Sequence, residues 1–387
     1  MMTLLKHWAD TNIKGDQIIW AIVIALALMS VFVVYSATGA LAYRNMESIE
    51  YYLFKHMALI GLSLLAMWVA HKIDYRYYSK LSKLGLWISI PLLIYAWKAG
   101  VNINDASRWI TIPIINQVFQ PSDLAKLSLI AAMAAMLSKR QQNIGDFKDV
   151  VMPMVLWSGV ICGLIAMADL SSALLLFATA MLLMFIGRVP VKYLAMLLVV
   201  GAVAGALAMS IGQRGETAKS RITSFISGSE LPFQAEQARI AVASGGIIGK
   251  GPGKSDQRNF LPHPYSDFVY AIIIEEYGML GGVVILFLYL GLLYRGMKAV
   301  ANSDRAFGGL LSAGLSFALV LQAIVNMGVV VGLGPITGLP LPFLSMGGTS
   351  LLFTGISLGI IISVSRGEVD KEWNKMGGEV KNVMKAA

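Results

Sequence analysis

The sequence predicts an all-α polytopic membrane protein with ten transmembrane helices and one long external loop between the seventh and eighth. Two observations support this fold class. Of the 387 residues, 57% are hydrophobic and only 14% are charged, a composition too apolar for a soluble protein of this size. In addition, the chain contains successive apolar stretches that approach the roughly 20 residues needed to cross a bilayer core.

These stretches are separated by polar or turn-forming segments and define one membrane domain over residues 1–365. They are 18–38, 52–71, 84–98, 122–138, 150–167, 171–187, 193–211, 268–294, 307–329 and 346–365. No small-residue cleavage site accompanies the first stretch, so we expect it to remain as a signal anchor. The external loop covers 212–267, and a charged cytoplasmic tail covers 366–387.

The net charge of +9 is distributed as in a membrane protein rather than in a nucleic-acid binder. With the N-terminus inside, 19 Lys and Arg residues lie on inside segments, 4 in or beside short outside loops, 7 in the long loop and one in a helix. Long loops translocate largely regardless of charge, so this contrast predicts that both termini are cytoplasmic. Basic clusters such as Lys139 and Arg140 are expected beside anionic lipid headgroups, with no specific ligand assigned.

Ionisable residues at membrane depth are costly and are therefore candidates for function. Asp123 and Lys126 are three residues apart, so they share a helix face and can neutralise each other, in either a structural or a substrate-binding pair. Asp169 precedes Ser171 at a tight turn, which favours a helix N-cap. The only cysteine, Cys162, excludes an intrachain disulfide, and the scattered histidines predict no metal site.

The eighth span carries three carboxylates, Asp267, Glu275 and Glu276. The two glutamates point about 100° apart on a helix, so we expect them to face different partners, one of them a basic residue or a helix end. Asp267 lies at the N-terminus of the span, where the helix dipole stabilises a carboxylate. It is the candidate catalytic residue, and a simple N-cap is the alternative.

Three outside segments have polar or turn-forming character, and the long loop contains a glycine-rich stretch with Lys250, Lys254 and Arg258. The letters GKS suggest a nucleotide P-loop, but the glycine spacing is one residue short and no strand precedes it. Backbone N–H groups and cations in such a turn suit a diphosphate better, and a plain flexible turn is the alternative.

In the 99–121 segment, Arg108 beside Trp109 is either an interfacial anchor or a platform for a sugar ring and its phosphate. The stretch GLGPITGLPLPFLSMGGTS is rich in proline and glycine. Non-helical backbone at membrane depth is tolerated only where it is buried in protein or lines a wet cavity. We therefore expect this stretch to form a re-entrant wall of the site, with Ser345 among the substrate-binding residues.

Four signatures spread over nearly the whole chain resemble the SEDS family of polytopic cell-wall proteins, whose members are called FtsW, RodA and SpoVE. They are VVYSAT at 33–38, ASRWI with QPSDLAK within 106–126, SDF with EEYG within 266–278, and NMGVVVGLGPITGLPLPFLSMGGTS at 326–350. The last signature and the brief tail are more similar to the division branch, FtsW, than to the elongation branch, RodA.

This resemblance implies a ten-span peptidoglycan glycosyltransferase that polymerises lipid II, an undecaprenyl-diphosphate-linked disaccharide peptide, on the outer face of the bacterial cytoplasmic membrane. It also implies a class B penicillin-binding transpeptidase and other division proteins as partners at the septum. The essential carboxylate of the family motif His-Thr-Asp-Phe corresponds to Asp267, and Trp109, Lys126 and Asp123 are carried over as substrate-binding positions. Asp123 stands where the family has Glu, and Tyr-Ser stands where it has His-Thr.

As a mechanism, we expect Asp267 to act as general base toward the acceptor 4-hydroxyl, an effect typically worth roughly 10²–10⁴-fold in rate. The donor diphosphate is already a good leaving group and needs cations, with or without a divalent ion such as Mg²⁺ or Mn²⁺. The candidate diphosphate and substrate contacts are Lys250, Lys254, Arg258, Arg108 and Glu275.

Three alternatives are compatible with parts of this pattern. A lipid II flippase also uses buried charges and a broken helix, but alternating-access carriers often show paired broken helices, and only one such region is evident. An elongation-type polymerase shares the same chemistry. A non-enzymatic division scaffold does not explain the presence of the external cationic loop.

Overall fold

The structure is a computed structural model that describes residues 14–103, 106–112, 117–211, 215–227, 232–303 and 305–366. Helices dominate these residues, and we number them in chain order. They are α1 (Gln17–Ala37), α2 (Gly39–Asn45), α3 (Ile49–Lys72), α4 (Tyr78–Ala99), α5 (Pro121–Lys139), α6 (Met152–Ala166), α7 (Leu170–Ile186), α8 (Val191–Ile211), α9 (Gly215–Ser227), α10 (Phe233–Gly245), α11 (Val269–Asn302), α12 (Ala306–Val330) and α13 (Thr349–Arg366). The predicted tail at 366–387 lies outside the described residues, apart from Arg366.

Seven helices among the described residues are long and apolar enough to cross a membrane, which identifies an integral membrane protein. These seven are α1, α3, α6 with the turn that precedes it, α8, α11, α12 and α13. The other three predicted spans fall on α4, α5 and the shorter apolar helix α7. Lysines in α4 and the Asp and Lys near the start of α5 lower the apolar character of those two helices. The number of ten spans therefore stays a prediction.

The sequence predicts helices joined by loops without secondary structure, and the structure differs from this prediction in two places. Between α4 and α5, the chain forms a three-stranded antiparallel sheet of β1 (Val101–Ile103), β2 (Ala106–Ile112) and β3 (Gln117–Phe119). Within the predicted loop over 212–267, it forms α9 and α10. A search for apolar runs of membrane length passes over both, because the strands are short and the two helices are too polar to be read as spans.

Helix α12 occupies the centre of the bundle, where it packs against α5, α7, α10 and α11. Small residues allow these close approaches, as is common between membrane helices. A Cβ on Gly314 would lie 2.6 Å from the side chain of Ile130, and a Cβ on Gly296 would lie 1.9 Å from that of Ser316. Helix α12 thereby holds α5 and α11, which carry the candidate site residues, in fixed relative positions.

Helix α11 is broken at Gly278, whose φ of 69° and ψ of −175° are non-helical. The glycine-rich loop fills the break by donating from Lys250 N to Glu275 O (2.9 Å) and by accepting at Gly246 O from Met279 N (2.9 Å). A Cβ on Gly278 would lie 2.1 Å from a carbonyl oxygen of this loop. Several of the loop glycines are therefore needed for close backbone contact with α11.

Candidate functional site

A cavity of about 120 Å³ lies where the start of α5 meets β2, α7, α12 and the non-helical segment before α13. It brings together four charged side chains that are distant in sequence, Arg108, Asp123, Lys126 and Asp169. Three of these four were predicted to bind substrate. The fourth, Asp169, was predicted to cap a helix.

The four charges form two partly buried ion pairs. Arg108 Nη1 lies 2.5 Å from Asp169 Oδ2, and Lys126 Nζ lies 3.4 Å from Asp123 Oδ1. Asp169 also accepts from the backbone N–H of Ser172 at 3.1 Å, so its predicted role as N-cap of α7 is confirmed. The predicted neutralisation of Asp123 by Lys126 is confirmed as well.

Two buried polar atoms of these pairs have no hydrogen-bond partner in the described part of the chain, Asp123 Oδ2 and Arg108 Nε. Buried groups of this kind are costly unless a water, an ion or a ligand supplies the missing contact. Arg108 also lies over the ring of Trp109, 4.2 Å from its centre. This cation–π contact packs the guanidinium against the Trp109 ring. Arg108 lines the cavity, whereas Trp109, which was also predicted to bind substrate, is not among its lining residues.

Asp267 lies next to this cavity, at Gly338 of its wall. A Cβ placed on Gly338 would lie 3.5 Å from Asp267 Oδ2 and 4.0 Å from Arg221 Nη1. Ser266 Oγ donates to the other carboxylate oxygen at 2.9 Å. The N-cap of α11 is Phe268 without a side-chain hydrogen bond, so the N-cap alternative for Asp267 is wrong. The side chain of Asp267 is half-buried, and its Oδ2 and Arg221 Nη1 both border the space beside Gly338.

Arg221 of α9 is the residue that sequence reasoning missed. It donates to Ile336 O at 3.2 Å and lines a smaller cavity of about 30 Å³ together with Asp169 and Thr337. Asp169 borders both cavities, so the two adjoin. In the sequence, Arg221 is one of seven basic residues of the long loop, and nothing in its neighbours distinguishes it.

The non-helical segment before α13 fixes the backbone around Asp267. Asn326 Nδ2 donates to both Asp267 O and Leu339 O at 2.7 Å. Ser345 Oγ donates to Ser266 O at 2.6 Å and accepts from Leu341 N, and only 2% of Ser345 is exposed. Ser345 therefore holds the chain beside Asp267 in place from within the protein. The predicted wall exists, and its Gly338, Leu339 and Pro340 line the cavity.

Two of the three predicted diphosphate cations of the glycine-rich loop, Lys250 and Arg258, have partners inside the protein. Lys250 Nζ lies 2.8 Å from Asp256 Oδ2 and 2.7 Å from Glu275 Oε1, and these two hydrogen bonds raise the pKa of Lys250 above its ordinary value. Arg258 Nη1 donates to Ser36 O at 3.3 Å and Ser36 Oγ at 3.1 Å. Lys254 is exposed.

The backbone N–H groups of this loop were predicted to contact a diphosphate, and in the structure they donate to carboxylates of α11. The N–H groups of Asp256 and Gln257 donate to the carboxylate of Glu275, and that of Ser255 donates to Glu276. Ser255 Oγ donates to Glu275 as well, so both glutamates contact Ser255. Glu275 also pairs with Lys250, which confirms the expectation that one of the two glutamates meets a basic residue. Two long side chains converge here because the loop wraps over both.

The structure thus separates the predicted residues into two groups. Glu275 lies roughly 9 Å along the axis from the first residue of α11, at the usual rise per residue. Lys250 and Arg258 contact this part of the protein, whereas Arg108, Asp123 and Lys126 line the cavity beside Asp267. Arg221 Nη1 and Asp267 Oδ2 both lie within 4.0 Å of the position that a Cβ on Gly338 would occupy at the cavity wall.

A family described as "Cell cycle protein", covering FtsW, RodA and SpoVE, matches residues 16–369 of the chain. A probable peptidoglycan glycosyltransferase FtsW of Geobacter metallireducens is 35% identical over 91% of this chain and 95% of its own length. Stage V sporulation protein E of Bacillus subtilis is 31% identical over 91% of this chain and 97% of its own length.

Two solved structures are similar along nearly the whole chain. One comes from work on structural coordination of polymerization and crosslinking by a peptidoglycan synthase complex, with a TM-score of 0.74, 26% identity and coverage of 92% of this chain and 98% of its own. The other is the rod shape determining protein RodA of Thermus thermophilus, with a TM-score of 0.67, 26% identity and coverage of 92% and 97%.

Proposed function

Because the chain belongs to the FtsW, RodA and SpoVE family of cell cycle proteins, we propose that it is a peptidoglycan glycosyltransferase that polymerises lipid II. The observation that carries this proposal is that Asp267 and Arg221 both border the space beside Gly338, at the wall of a cavity lined by Arg108 and Lys126. A carboxylate beside several cations matches the needs of glycosyl transfer from a diphosphate, namely a base for the acceptor and positive charge for the leaving group.

In the proposed reaction, the 4-hydroxyl oxygen of the acceptor sugar attacks C1 of the donor sugar. The bond from C1 to the diphosphate oxygen breaks, its electron pair leaves with undecaprenyl diphosphate, and the hydroxyl proton passes to Asp267. Direct attack on an α-linked donor inverts C1 and gives the β-1,4 product. One carboxylate is sufficient, in contrast to the paired acids of glycoside hydrolases, because the leaving group needs no strong protonation.

The charge balance of the cavity bears on how a diphosphate is held. Arg108 and Lys126 are already neutralised by Asp169 and Asp123, so a diphosphate has to displace a carboxylate or bring a cation with it. Magnesium is often held by one or two carboxylates together with substrate phosphates. Asp123, whose Oδ2 has no partner among the described residues, fits that role, and Mg²⁺ or Mn²⁺ would supply positive charge to the leaving group.

We further propose ten spans, cytoplasmic termini and a site on the outer face of the membrane. The 19-to-4 distribution of basic residues supports this orientation. The relatives named FtsW support the division branch and a septal location, and the similar chain from a peptidoglycan synthase complex supports a class B penicillin-binding transpeptidase as partner.

Reconstitution tests the function. The purified full chain is combined with lipid II and the cognate transpeptidase, and glycan strands are measured for wild type, Asp267→Ala and Glu236→Ala. We expect Asp267→Ala to lose polymerisation by at least about 100-fold because the base is gone. Glu236, an exposed carboxylate of α10, serves as the matched control. Normal strand length with Asp267→Ala, or lipid movement without any glycan from wild type, contradicts the proposal.

A further inference from the structure

A third cavity, of about 350 Å³, lies between α4, the end of α5 and the start of α6. Lys126 of the candidate site and Lys139 of this cavity are thirteen residues apart on α5, which corresponds to roughly 20 Å along the helix. The cavity is therefore near the opposite membrane face from the candidate site. Its volume falls in the usual range of small-molecule sites, roughly 300–1,000 Å³.

The rim of this cavity is cationic. Lys83, Lys139 and Arg140 line it, with Asp149 as the one carboxylate among its lining residues. In the described part of the chain, none of these three cations lies within ion-pair distance of a carboxylate, in contrast to Arg108 and Lys250. Three unneutralised cations around one opening leave an excess of positive charge that complements an anion.

The wall of the cavity is apolar and aromatic. Trp87 and Trp157 meet edge to face with their ring centres 5.3 Å apart, and Leu86, Ala135 and Met136 contribute further apolar surface. Tryptophan is enriched at the level of lipid headgroups, where one part of the ring is in hydrocarbon and the other is wet. A free phosphate compound has no apolar part that can contact this wall, whereas the glycerol and upper acyl chains of a lipid can pack against it.

We propose that this cavity binds one anionic glycerophospholipid of the adjacent leaflet. Its phosphate lies among Lys83, Lys139 and Arg140, and its upper chains lie against Trp87 and Trp157. Basic pockets between membrane helices bind anionic headgroups through this combination of charge and apolar wall. The bound lipid fills the space between α4, α5 and α6, and so supports the helix that carries Asp123 and Lys126 at its other end.

Native mass spectrometry of the purified full chain tests the proposal, with phosphatidylglycerol and phosphatidylcholine as probes. We expect preferential retention of phosphatidylglycerol by wild type. The variant Lys83→Gln/Lys139→Gln/Arg140→Gln should lose about fivefold in affinity for each cation removed. The control Lys80→Gln/Lys192→Gln/Lys298→Gln removes the same number of exposed charges from residues that do not line the cavity and should retain the lipid.

Two further measurements test where the anion binds and whether it is a lipid. The first uses the variant Ala135→Phe, and the second uses competition by glycerol 3-phosphate. The variant Ala135→Phe keeps every charge but fills the cavity, so a folded Ala135→Phe should lose the lipid; its thermal unfolding in detergent checks folding. Because the triple variants change only exposed side chains, they decide the question if Ala135→Phe does not fold. Equal loss in both triple variants, equal retention of phosphatidylcholine, or full displacement by glycerol 3-phosphate overturns the proposal.

Discussion

Asp267 is held by its backbone while one of its carboxylate oxygens stays at the cavity wall. Asn326 fixes its carbonyl, Ser345 fixes the preceding residue, and Ser266 donates to Oδ1. Oδ2 lies beside Gly338. Because Gly338 has no side chain, the space between Oδ2 and Arg221 is not filled. A base positioned in this way loses little conformational freedom when substrate binds, which is how preorganised sites gain rate.

At the residue scale, we predict that Arg221→Gln lowers kcat/KM for lipid II polymerisation by about 100-fold, as expected for the loss of one well-placed donor to a developing anion. Lys219→Gln, an exposed position on the same helix, should change the rate less than twofold. Arg221→Lys should recover part of the loss because it keeps the charge without the fork of donors. Equal rates for Arg221→Gln and Lys219→Gln would show that Arg221 does not contribute to the reaction.

At the scale of elements, the glycine-rich loop and the broken helix α11 stabilise each other. The loop supplies backbone partners at the break and N–H groups to Glu275 and Glu276, and Lys250 adds an ion pair. Two adjacent carboxylates buried in the fold are tolerated because these donors replace water. The loop is thus part of the folded core.

We predict that Gly278→Ala destabilises the protein by about 1–3 kcal/mol, the usual cost of a residue held in a sparsely populated backbone region, plus a steric clash. Its φ of 69° favours glycine, and the added Cβ would lie 2.1 Å from Ile247 O. Gly163→Ala is the matched control, since a Cβ there meets no heavy atom within 4 Å. Thermal unfolding in detergent should show a lower midpoint for Gly278→Ala only.

The ion pair of Lys250 predicts a pH dependence of stability. Hydrogen bonds to Asp256 and Glu275 raise the pKa of Lys250, so its contribution is fully present below the ordinary lysine pKa and is lost as pH rises through the raised value. The difference in unfolding midpoint between wild type and Lys250→Met should therefore be constant near neutral pH and shrink above about pH 10.4. An equal difference at pH 8 and pH 12 would show that the charge of Lys250 contributes nothing.

At the scale of the whole molecule, orientation in the membrane decides which cavity meets lipid II. We predict that an impermeant maleimide labels Lys254→Cys on intact spheroplasts but labels Lys192→Cys only after permeabilisation. The native Cys162 is 9% exposed and lies among apolar residues, so the unsubstituted chain provides a low background. The reverse pattern would place the candidate site on the cytoplasmic side and contradict the proposed polymerase.

The sequence by itself determined the membrane class, the positions of the apolar helices, the family and the pairing of Asp123 with Lys126. These follow from composition, from local periodicity and from residues a few positions apart, which the chain encodes directly. The glycine-rich stretch was predicted to contact a diphosphate, and this stays a prediction, because in the structure its backbone N–H groups donate to Glu275 and Glu276.

Only the tertiary structure decided which anion that backbone binds and which cation lies near Asp267. The loop packs over Glu275 and Glu276 of α11, and Arg221 borders Gly338 from a helix more than a hundred residues away in the chain. Such contacts depend on how helices pack, and no local pattern specifies them. The sequence therefore located basic residues in the long loop, but helix packing determined that Arg221 is the one beside Gly338.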